Sequence, residues 1–95
     1  MPIKKIITDK KGMVTRHHRI RACSITEELD GEYIDINLTS YANKAIWDLE
    51  VAEGENLSYT SMAIRLPLGD GNISKANLYA RIRAEIPEFA GATEE

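Results

Sequence analysis

Cysteine is nearly absent from this chain: Cys23 is the only one in 95 residues. An internal disulfide is therefore excluded, and Cys23, on the apolar side of a strand pattern, is expected to be a small buried hydrophobe in a reducing compartment. Long apolar runs are missing too. No stretch approaches the ~20 residues needed to cross a bilayer. Met1-Pro2-Ile3-Lys4-Lys5 is followed by no apolar signal core, so neither membrane contact nor secretion through a signal peptide is expected. Catalytic constellations are also lacking. A nucleophilic hydrolase needs serine or cysteine with histidine and an orienting acid. Cys23 and His17 stand six positions apart, about 20 Å along a strand. Asp48 and Glu50 are exposed acids at a commonplace spacing, and nothing marks a two-metal groove. His17 and His18 are neighbours on a strand and point to opposite faces, so they cannot share a metal; one is expected buried and the other exposed. Gly69-Asp70-Gly71-Asn72 has no Gly-Lys-Ser/Thr behind it and is no phosphate loop. These absences predict no enzymatic activity, no cofactor and no metal.

What is there is a long hairpin over residues 14–41. Asp30-Gly31 is a strong two-residue turn signal. With those two residues as the turn, Leu29 faces Glu32, Ile25 faces Ile36 and Cys23 faces Leu38. Ile34, opposite Glu27, joins the same face. Ile34, Ile36 and Leu38 alternate with Tyr33, Asp35, Asn37 and Thr39, the period of a half-buried strand. Ile20 and Ala22 are out of phase with Cys23 and Ile25, which predicts a bulge or a change of buried face.

Residues 3–8 form a further strand pattern, closed by a turn at Asp9-Lys10-Lys11-Gly12. Ser40 to Lys44 reads as a bend. Ala45, Trp47, Leu49 and Val51 share one parity and predict a strand, with a short helix as the alternative, and Trp47 as a core anchor. Glu53-Gly54-Glu55-Asn56 is a turn, and Thr60 to Leu68 alternates again. Ser74 is a helix N-cap, with Ile73 and Leu78 as a hydrophobic staple. Leu78, Tyr79, Ile82 and Ile86 make the helix stripe. Pro87 ends it, and Phe89 folds back onto the core.

The resulting fold class is α+β: an antiparallel meander of four to five strands with one C-terminal amphipathic helix on one face. The chain reads as one domain, with residues 1–89 folded and 90–95 a mobile acidic tail. The opposite sheet face, bearing Tyr33 and Tyr59, is a candidate contact surface.

Charge is lopsided. Net charge is −3, yet residues 1–21 carry Lys4, Lys5, Lys10, Lys11, Arg16, Arg19 and Arg21 against Asp9 alone, a local +6. Five basic and fourteen acidic side chains follow, a local −9. This split suits a solvated edge strand guarded by lysines, head-to-tail association of copies, or nucleic-acid binding.

The chain resembles small uncharacterised proteins of tailed bacteriophages and prophages, encoded among late or tail-region genes. The segments that carry the likeness are His17-His18-Arg19-Ile20, Leu38-Thr39-Ser40-Tyr41, and Leu78-Tyr79-Ala80-Arg81-Ile82 leading into Ile86-Pro87-Glu88-Phe89-Ala90-Gly91-Ala92-Thr93. The basic N-terminal strand is more pronounced here than that pattern requires. The resemblance implies a non-enzymatic virion or tail-assembly component. Its partners would be itself, as a homo-oligomer, and other phage structural proteins, in the host bacterial cytoplasm and the virion. The alternative is a small regulator that binds nucleic acid or a host protein through the basic N-terminal strands. The contact residues expected are Lys4, Lys5, Lys10, Lys11, Arg16, Arg19, Arg21, Tyr33, Tyr59 and Trp47.

Overall fold

A computed structural model describes residues 2–95. The strands are β1 (Ile3–Thr8), β2 (Val14–Glu28), β3 (Gly31–Tyr41), β4 (Thr60–Pro67) and β5 (Thr93–Glu94), and the helices are α1 (Lys44–Glu53) and α2 (Lys75–Glu85). One five-stranded antiparallel sheet runs in the order β4-β3-β2-β1-β5. The fold is α+β, as the sequence predicts. Its fifth strand, β5, and its first helix, α1, lie where the sequence pattern placed other things.

The core forms on one sheet face. Leu78, Tyr79 and Ile82 of α2, with Phe89 of the 3₁₀ turn Pro87–Phe89, close over Ile3, Ile20, Ile34, Ile36, Leu38, Ile64 and Leu66. The Ser74 hydroxyl caps α2 by accepting from the Asn77 N–H, and Pro87 follows the last turn.

The β2–β3 hairpin keeps the expected faces but turns one step earlier. Glu28 pairs with Gly31, so Leu29 and Asp30 form the turn, and Ile25 faces Ile34 while Cys23 faces Ile36. A type I′ turn at Asp30-Gly31 would put Asp30 at positive φ, which costs any residue with a side chain. Positive φ falls instead on Gly31 alone, at 148°. The register moves by two, and a shift of two leaves every side chain on its own face. The predicted bulge is at Arg21: Ile20 pairs with Leu38, and Ala22 with Asn37. Beside the bulge, the buried Tyr79 hydroxyl accepts the Ile20 N–H at 2.8 Å.

Four expectations are corrected. Residues 45–51 are helical, not a strand. The Asn43 side chain accepts from Ile46 N–H, and Gly54, at φ 70°, donates to the Glu50 carbonyl. That N-cap and left-handed C-terminal glycine were the legible signals. Leu49 and Val51 face water, while Ile46, Trp47 and Glu50 form the half-buried arc. Trp47 is therefore a half-buried surface aromatic and not a core anchor. Cys23 is exposed, as are Ile25 at 53% and Leu29 at 109%. The reason is length: β2 runs for 15 residues in a molecule 39 Å along its longest axis, and the 11-residue α2 is about 16 Å long, so one helix cannot cover the arm. Lastly, residues 90–95 are tied into the sheet. Ile3 pairs with Glu94 and Lys4 with Thr93, the Glu95 N–H donates to the Pro2 carbonyl at 2.8 Å, and Lys5 Nζ donates to the Ala90 carbonyl at 2.7 Å. The basic first strand holds the acidic tail. Among the described residues no helix is long and apolar enough to cross a membrane.

Candidate functional site

Two features meet at the middle of β2. The first is an unpaired edge. β1 accompanies β2 only as far as the pair Ile3–His18, and beyond it no described strand lies on that side. Tyr79 takes the Ile20 N–H, after which residues 22–28 are exposed, with only Thr26 partly covered. The Arg21 bulge turns Ala22 and Ser24 to the α1 face of the sheet, and Cys23 and Ile25 to the α2 face.

The second feature is a cleft of about 460 Å³ where that free edge begins, lined by Pro2, Arg19, Arg21, Tyr41, Trp47, Glu50, Lys75 and Tyr79 among others. The Arg19 guanidinium lies 3.9 Å from the Trp47 ring centre, and the Tyr41 ring meets Trp47 edge-on at 5.7 Å. Arg21 donates to the Tyr41 hydroxyl at 3.0 Å and to Glu50 at 3.3 Å, while Tyr41 donates to Glu50 at 2.9 Å. Burial opposes the charge on Glu50, but the Leu57 N–H, the Tyr41 hydroxyl and Arg21 outweigh it and hold the carboxyl below its usual range. Glu50 thus neutralises Arg21. Arg19 and Lys75 have no acidic partner among the described residues, so the cleft keeps a positive excess.

Of the predicted contact residues, the structure gathers Arg19, Arg21 and Trp47. The rest are dispersed. Lys4 and Lys5 lie on β1 beside β5, and Lys5 is engaged with Ala90. Lys10 and Lys11 ride the turn that Asp9 organises by accepting the Lys11 and Met13 N–H groups. Arg16 is exposed on β2. Tyr33 stacks near Arg65, at 5.1 Å, and donates to Asp30, whereas Tyr59 bonds Asp9 at the opposite end of the sheet. The Tyr59 hydroxyl, followed by the Met13 N–H, lowers the Asp9 pKa. Lys75, Glu50, Tyr41 and Tyr79 escaped the sequence reading, because their convergence depends on two helices meeting one strand.

Both histidines are fully buried, where the strand pattern predicts one exposed. His17 Nδ1 donates to Glu95 Oε1 at 2.6 Å, and its Nε2 faces Arg19 at 3.4 Å. His18 Nε2 donates to the Lys5 carbonyl at 2.8 Å, so Nδ1 is the acceptor for the Ser40 hydroxyl at 2.8 Å. Burial pushes the His18 pKa down. A serine bonded to a neutral imidazole has the outline of a nucleophile and base. Here the second nitrogen meets a backbone carbonyl, where a triad has a carboxylate, and Ser40 is itself buried. The pair satisfies buried polar groups. Among the described residues no group of three His, Cys, Asp or Glu side chains could hold a metal.

No family model matches the chain, and neither a curated protein nor a solved structure matches it.

Proposed function

We propose that this protein acts without catalysis, by protein–protein contact, as a self-associating component of a bacteriophage virion or of its assembly. The phage setting rests on the resemblance of the three segments 17–20, 38–41 and 78–93. The contact function rests on one observation: residues 22–28 offer a free sheet edge flanked by exposed Cys23, Ile25 and Leu29. Natural folds cover or shorten such edges because an open one templates pairing with another chain. On the same side of the sheet the two-residue β5 closes the edge beyond β1, and on the opposite side the edge strand β4 ends in Pro67 with Arg65 beside it.

Sedimentation at low micromolar to high micromolar concentration tests the reading. A discrete oligomer that does not bind DNA is the expected result. A monomer with salt-sensitive DNA binding would instead favour a regulator working through the basic N-terminal strands. Raising salt from about 50 mM to about 500 mM should weaken any contact that depends on exposed charge, since the screening length falls well below 10 Å over that range.

A further inference from the structure

Resting on that reading, we infer that the occupant of the free β2 edge is the same edge of a second copy, paired antiparallel about a two-fold axis through Ser24. The geometry of the hairpin sets which groups are available. Glu28 and Gly31 flank a two-residue turn and exchange hydrogen bonds, and such pairs alternate along an antiparallel ladder. Thr26 and Ser24 therefore bond β3, while Glu27, Ile25 and Cys23 direct their N–H and C=O groups to the open side.

A two-fold axis normal to the sheet keeps each face on its own side, so only residues of like face can oppose one another. Of the registers this allows, pairing Ser24 with Ser24 of the second copy sets Cys23 against Ile25 twice, so the apolar side chains of the α2 face meet one another. Moving two positions one way sets Glu27 against Cys23, a charge against an apolar side chain; moving two the other way sets Ile25 against the bulge, where the Arg21 side chain points to the other face. The Ser24 register is therefore favoured.

The same register explains the cleft. The hairpin tip is acidic, with Glu27, Glu28, Asp30 and Glu32, and carries the fully exposed Leu29. The cleft at the base of the partner's edge holds a positive excess from Arg19 and Lys75 beside Trp47. Antiparallel pairing brings the tip to that level, with Leu29 at the height of Arg19. Each copy supplies one tip and one cleft, so the contact is isologous and closes at two.

The test is a crosslink. In the doubly substituted protein Cys23→Ser, Ser24→Cys, the two introduced thiols occupy a non-hydrogen-bonded antiparallel pair about 4.5 Å apart at Cα, within disulfide range. Mild oxidation should convert most of the protein to a covalent dimer, whereas wild type should crosslink poorly through Cys23. As a second variant, Ile25→Pro removes a donor that bonds nothing in the single chain. It should leave the circular dichroism of the fold intact and weaken dimerisation at least about tenfold, or roughly 1.4 kcal/mol. An oligomer that does not crosslink through residue 24 and is indifferent to Ile25→Pro overturns this inference, while self-association stands. Efficient crosslinking of wild type through Cys23 overturns the register. A protein monomeric throughout overturns both the dimer and the self-association it rests on.

Discussion

The two halves of β2 meet opposite fates, and not in the order of their hydrophobicity: Thr15 to Ile20 holds two arginines and two histidines, whereas Ala22 to Glu28 holds Ala22, Cys23 and Ile25 with two glutamates. From Thr15 to His18 the strand is flanked by β1 and β3, and as far as Ile20 it has α2 and Phe89 on one face and α1 and the Glu95 side chain on the other, so that even two adjacent histidines are dry. From Ala22 to Glu28 it has one neighbour, β3, and even Ile25 stands half in water. A strand is buried by what reaches it from elsewhere. Side-chain hydrophobicity sets which face wants cover and leaves open whether cover arrives.

The largest test of that contrast is truncation in each half. Leu38→Ala, at a fully buried site opposite Ile20, should cost about 2–5 kcal/mol. Ile25→Ala, measured in dilute protein, should cost under about 1 kcal/mol. Equal losses by urea denaturation would show that the arm is covered in the single chain and erase the distinction.

Next comes the joint between the halves. Tyr79→Phe leaves the Ile20 N–H at the bulge without its acceptor, and a buried unpaired donor costs about 1–3 kcal/mol. The variant should also speed amide exchange at Ile20 more than at Leu38. A melting temperature equal to wild type would mean that water or another acceptor serves the bulge.

Acidification should destabilise the buried half selectively. Burial keeps His18 below its ordinary value of 6.5 in the folded chain, so the unfolded chain binds the extra proton. Stability is then fully present above about pH 6.5 and declines as pH falls below it, by at most about 1.4 kcal/mol per pH unit for one proton. His17 and Glu95 lie against the same site and contribute to the field there. Thermal melts from pH 7.5 to 5.5 should slope for wild type and flatten in His18→Gln. The depressed Asp9, Asp35 and Glu50 carboxyls act only at lower pH, where their stabilisation is lost as they protonate.

The smallest effect is expected at the lid over the far face. Asn43→Ala removes the α1 cap and should cost about 1 kcal/mol, with amide exchange rising in α1 ahead of the sheet. Global loosening of the sheet in that variant would make α1 part of the core, against its lack of any fully buried residue.

By itself the sequence determined what repeats locally. Alternation marked β1, β2, β3 and β4 and their faces, the phase change after Ile20 announced the bulge, and Ser74 with Pro87 bounded α2. These signals survive because strand and helix periods are properties of neighbouring residues. The same logic misled at residues 45–51, where alternate apolar side chains imitated a strand although Asn43 and Gly54 marked a helix. It said nothing of the convergence of Arg19, Arg21, Lys75 and Trp47 in one cleft. Tertiary structure alone decided two things. It drew residues 93–94 beside β1 as a fifth strand, and it left the arm of β2 without a neighbour. Each depends on segments distant in sequence meeting in space, and on one short helix having too little length to cover a long strand.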